Sequence, residues 1–149
     1  MVQSQSHHNL CHYTCTISKL IRPRRDRLLW PGDIAVSGPS IYGSIGDADP
    51  ILNGLIQLFS EQNSLGQLPY VGKPQGFAFS FTYHLHTLID VYDYFMYTGN
   101  TTSLNNLWPQ YVKAIDYSVG TIDSSGLAYV SDANGKHSHE TKCYRLTLQ

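Results

Sequence analysis

Two aspartates set seven residues apart, Asp26 and Asp33, enclose the segment Arg27-Leu28-Leu29-Trp30-Pro31-Gly32 and follow Arg24 and Arg25. A pair of carboxyl groups can divide acid and base work when their surroundings drive their pKa values apart. Leu29 and Trp30 would supply low polarity to Asp26, which favours a retained proton. Asp33 would push in the same direction if close, whereas Arg25 and Arg27 would push the other way. A structural alternative stands beside the catalytic one. Asp33 can charge the start of a helix opened by Pro31, and Asp26 can pair with a flanking arginine. Pro31 disfavours helical geometry at Trp30, so the two acids sit on a loop and a helix start rather than on one helix.

The other chemistry-bearing residues are weaker candidates. Asp90 and Asp93, three apart in a helical stretch, are expected on solvated faces, because like charges at that spacing normally face water. Glu61 and Asp116 are read the same way. His84 and His86 flank Leu85 and point to different helix faces, so they do not make a paired metal site. His7, His8, Cys11, His12 and Cys15 have partial zinc spacing, but His137, His139 and Cys143 do not complete a usual ligand pattern, so no metal and no cofactor is expected. Arg22, Arg24, Arg25 and Arg27 form a short basic run without a nucleic-acid module around it. Asn100-Thr101-Thr102 is a glycosylation sequon.

These residues are positioned by helices. Asp49 reads as a cap before Pro50 at the first helical position, and Ile51, Leu55, Leu58 and Phe59 then share one face. Helical spacing returns from Phe77 to Tyr97 through Phe81, Leu85, Leu88, Tyr92 and Phe95, with Gly99 as the stop. Thr102 or Ser103 caps a further helix running to about Val119. The short Tyr97–Thr102 link makes an αα-hairpin of these two. Gly32 to Gly46 is a fourth helical stretch, in which Pro39 would kink or break the helix. Gly66 to Gly76 reads as a loop, and Gly126 to Val130 as a short strand or extended rim. The class is all-α, built from helical hairpins. Residues 24–130 carry this pattern, and residues 1–23 and 131–149 lose it.

The chain has 149 residues, 42% of them hydrophobic and 14% charged, with 11 tyrosines and a formal net charge of −1. This composition can bury a core and is not that of a disordered segment. A near-zero charge supplies no global field toward nucleic acid or a membrane surface, and no 18-residue apolar run offers a membrane span. Residues 1–20 lack the apolar core of a secretory signal.

Arg25-Asp26-Arg27 followed by Trp30-Pro31-Gly32-Asp33 resembles the acid-bearing block of the α-L-rhamnosidases. The stretch Thr82 to Leu104, with its Tyr97-Thr98-Gly99 turn, resembles the hairpin that follows it in that family. The resemblance covers about 105 residues in the family's order. It implies part of a six-hairpin (α/α)6 toroid, incomplete here, that cleaves terminal α-L-rhamnose with inversion. It places the general acid on Asp26 and sugar binding on Asp33 and Arg25, with Trp30 walling the site. Of His84 and His86 one would line the cleft, and His84 is counted among the sugar-binding residues, the alternative being a partly buried, hydrogen-bonded histidine. The partner implied is a rhamnoside. The family aspartate five residues before the acid is replaced by Ile21, and the family's general base, a glutamate, would lie downstream of Gln149. Truncated or altered ends, weak activity and secreted full-length relatives are therefore expected, as is a marginally stable or oligomeric product associating through exposed hairpin edges. A rhamnoside-binding remnant without catalysis is the alternative function, and a zinc or nucleic-acid protein ranks third.

Overall fold

A computed structural model of the chain describes residues 28–72, 77–128 and the pair Tyr144–Arg145. Four helices occur among the described residues: α1 (Pro31–Ile45), α2 (Asp49–Ser60), α3 (Phe81–Thr98) and α4 (Thr101–Gly120). Two short strands, β1 (Leu127–Ala128) and β2 (Tyr144–Arg145), pair antiparallel. The fold is all-α, and α3 packs against each of the other helices, most extensively against α1.

The helix starts follow local chemistry. Pro31 opens α1, where a missing N–H costs nothing, and Gly46 closes it at φ 68°. Pro39 neither breaks nor ends α1; it lies on an exposed face, and the helix runs through it as one 15-residue element. Asp49 is the first residue of α2 rather than its cap, and its N–H is held by Asp47 Oδ1 at 3.0 Å. α3 begins at Phe81, later than the apolar spacing suggests, because Phe79 is drawn into an extended bridge with Pro69. Gly99, at φ 64°, ends α3, and Asn100 rather than Thr102 or Ser103 caps α4 by accepting the Ser103 N–H at 3.0 Å. The Asn100 amide also donates to the Tyr94 hydroxyl at 3.2 Å, so the sequon residue is part of the hairpin's own structure.

The core gathers Ile34 and Ile41 of α1, Ile51, Leu55, Leu58 and Phe59 of α2, Leu88, Val91 and Tyr94 of α3, and Leu107 and Ala114 of α4. The α2 face matches its sequence spacing residue for residue. On α3 the buried stripe is turned by about one position: Phe81, His84, Leu88, Val91 and Tyr94 point inward, while Tyr92 is 56% exposed. Burying one such large apolar side chain stabilises by about 1.5–3 kcal/mol, so the misplaced Tyr92 forgoes a sizeable gain. Three neighbouring helices cover α3, which widens its buried surface beyond one apolar stripe.

The described part of the segment between α2 and α3 is tied down by hydrogen bonds. Asn63 Oδ1 accepts the N–H groups of Leu65 and Gln67 at 3.0 and 2.9 Å. Gln67 Nε2 donates to the Tyr117 hydroxyl at 2.8 Å, and Gln62 Nε2 to the Gln110 carbonyl at 2.9 Å. Gly66 is required there: its φ is 97°, and a Cβ would stand 2.5 Å from the Lys113 carbonyl oxygen. Further along, Gly72 N–H donates to the Leu29 carbonyl at 2.9 Å, which fastens the loop to the head of α1.

Candidate functional site

The anchored loop and the head of α1 bring four aromatic rings together. Trp30 lies 5.4 Å from Tyr70 and 5.9 Å from Tyr83, centroid to centroid, and Tyr70 lies 6.3 Å from Tyr83. His86, one turn beyond Tyr83 on α3, sits 6.2 Å from it at 69°. Edge-on and tilted pairs of this kind suit the ring quadrupoles. Each of the four residues is half-buried, so the cluster keeps surface for a ligand.

Gly32 allows the close approach. A Cβ on it would meet Tyr83 Cε1 at 3.1 Å, so any side chain there would press on the ring. Asp33 follows in the first turn of α1, half-buried, where a carboxylate is favoured by the helix dipole. Its N–H bonds the Trp30 carbonyl at 3.1 Å, and its own carbonyl accepts from Ser37 Oγ. Trp30 and Asp33, named together from the sequence, are therefore together at the head of α1. Asp26 and Arg25 lie outside the described residues, as do the Cys and His residues of both chain ends.

His84 is elsewhere. It is fully buried, ringed by Phe79, Phe81 and Tyr117 at 5.5 to 6.2 Å. Its Nδ1 accepts the Leu68 N–H at 3.2 Å, and its Nε2 meets Ser118 Oγ at 2.9 Å and the Ala114 carbonyl at 3.2 Å. An amide N–H can only donate, so Nδ1 holds the lone pair and Nε2 carries the proton. Burial lowers the His84 pKa to about 4. Of the two positions the sequence allowed this residue, the structure shows the hydrogen-bonded core one, and with no exposed surface it does not line a cleft. His86 is the histidine beside the aromatic cluster.

Asp90 corrects a further expectation. It is 1% exposed, not on a solvated face, and burial, then the charge of Asp93, pushes its pKa up to about 8. Nothing in helical spacing separates it from Asp93, which is half-buried. Tyr70 and Tyr83 also escaped the sequence reading. The signals that point to them are the i, i+3 pair Tyr83 and His86 and the glycine opposite. Beside His86, a shallow depression of about 190 Å³ is lined by Thr82, Leu85, His86 and Ile89. Among the described residues no three His, Cys, Asp or Glu side chains group as a metal set. No described helix is long and apolar enough to cross a membrane.

Among solved structures, the chain is similar to a rhamnosidase from Klebsiella oxytoca with rhamnose bound, at a TM-score of 0.60 and 18% sequence identity. The similarity covers 87% of this chain and 28% of that one, so the chain spans little more than a quarter of its neighbour's length. At this identity the likeness is one of fold. No family model and no curated protein sequence matches the chain.

Proposed function

We propose that the chain belongs to the catalytic domain type of the α-L-rhamnosidases, inverting glycoside hydrolases that remove terminal α-L-rhamnosyl residues, and that the head of α1 is its sugar-binding edge. The observation that supports this best is the meeting of Trp30 with Tyr70 and Tyr83 at the head of α1, whose first turn carries Asp33, in a helical fold like that of a rhamnose-bound rhamnosidase. Aromatic faces stack on the apolar C–H surface of a pyranose, and a carboxylate beside them accepts its hydroxyl protons. Asp33 and Arg25 take the binding role, Trp30 forms the wall, and Asp26 acts as general acid toward the leaving oxygen. Inversion needs a second carboxylate roughly 6.5–9.5 Å away to activate water on the opposite ring face. No described residue is assigned that part.

The test is paired titration and turnover. Isothermal titration with L-rhamnose should show binding that Trp30→Ala or Asp33→Asn abolishes. Hydrolysis of p-nitrophenyl α-L-rhamnoside should be slow, and Asp26→Asn should remove what there is, a positioned acid contributing about 10²–10⁴-fold. Binding without any turnover would instead favour a rhamnoside-binding remnant. Absence of both would overturn the proposal.

A further inference from the structure

A line of polar side chains runs along the α3 side of its seam with α1. Tyr83, His86, Asp90, Tyr94 and Tyr97 recur on α3 at intervals of three and four, and α1 meets this stripe with Gly32 at one end and Tyr42 at the other. Tyr42 stacks on Tyr97 at 4.7 Å and 20°. Asp90 Oδ2 and the Tyr42 hydroxyl are buried atoms without a hydrogen-bond partner, as is His86 Nδ1 one turn before Asp90. A buried carboxylate left unpaired is costly when charged and far less so when neutral.

We propose that Asp90 is a proton-operated latch on this seam: its neutral carboxyl lets α1 close on α3 with Trp30 against Tyr83, and its ionisation loosens the seam and releases that contact.

The charges around Asp90 offer no compensation. On its own helix Asp93 opposes ionisation, and His86 stands one turn before it. From α1 the facing group is Tyr42, whose own pKa is raised first by burial and then by the Asp90 and Asp93 charges. From α4 comes Tyr111, whose hydroxyl goes to the Leu88 carbonyl at 3.5 Å. α2 contributes only Asp49, at its exposed start. Lys113 is the one lysine or arginine with a described side chain, and its ammonium reaches the Asn63 carbonyl at 3.4 Å. The sign follows from linkage. The folded pKa, about 8, lies above the ordinary aspartate value of 3.8, so the neutral-carboxyl contribution is fully present below pH 3.8 and is lost as pH rises through about 8. This latch is independent of any sugar chemistry.

The experiment uses the full chain. With Trp108 replaced by Phe, Trp30 is the sole indole, and its emission should shift to the red as pH rises from 7 to 9. Amide exchange in α1 should quicken over that range by about tenfold beyond its base-catalysed increase, the factor one pKa unit represents. Asp90→Asn, which cannot ionise, should leave both readings flat. Should that variant fail to fold, the ¹³C carboxyl shift of Asp90 in the unaltered chain decides alone. A midpoint near pH 8 supports the latch. A midpoint below pH 5, or an Asp90→Asn profile matching the parent, overturns it.

Discussion

Tyr83 and His84 are consecutive residues of α3 that serve opposite purposes, because successive helical side chains diverge by about 100°. Tyr83 reaches Trp30 and the surface, whereas His84 enters the core and joins Leu68, Ala114 and Ser118. Protonating His84 would turn its Nδ1 into a donor facing the Leu68 N–H, which destroys that bond. Its folded pKa of about 4 lies below the ordinary histidine value of 6.5. Its contribution to stability is therefore present above pH 6.5 and lost as pH falls from there toward about 4. Urea unfolding at pH 7 and pH 5 should reveal this loss, with a slope of up to about 1.4 kcal/mol per pH unit, the limit for one proton. In the folded chain the His84 ring proton signals should not titrate between those values; titration with an ordinary midpoint would contradict the buried hydrogen-bonded assignment.

Elements here are bounded by a few side chains whose effects are local and measurable. Asn100 is the clearest, since it caps α4 through Ser103 and steadies α3 through the Tyr94 hydroxyl in one side chain. Asn100→Ala should cost about 0.5–2 kcal/mol of unfolding free energy by chemical denaturation, the range for losing an N-cap. Asn100→Asp keeps the cap acceptor and should recover most of that. Equal losses in the two variants would show that the Tyr94 contact outweighs the cap. The helix ends were largely legible in the sequence: Pro31, Gly46, Pro50 and Gly99 all act where their backbone preferences predict. The start of α3 was less so, because Phe79 is captured by Pro69 across a loop, a contact that helical periodicity does not encode.

For the molecule as a whole, α3 carries the contrast between covered and uncovered surface. Ile89, Tyr92 and Met96, at spacings of three and four, form an outward stripe 48%, 56% and 60% exposed. Contiguous apolar surface of this kind drives association. Sedimentation equilibrium should show the chain self-associating, and Ile89→Lys combined with Met96→Lys should shift it toward monomer without loss of helical circular dichroism. A strictly monomeric parent would refute this.

The sequence alone determined that the chain is helical, where its turns fall, and that α2 buries Ile51, Leu55, Leu58 and Phe59. Those features depend on backbone preference and on one-sided apolar spacing, which are properties of a few neighbouring residues. Tertiary structure decided the rest. Three helices pack on α3, so its apolar residues outnumber those that can point at one partner, and periodicity by itself does not choose which side is covered. Hence Asp90 and His84 are buried while Tyr92 is exposed, and Tyr70 reaches Trp30 from a loop that is fastened to His84, Phe79 and Leu29. Burial depends on what lies opposite in space, and spacing along one helix carries no record of that.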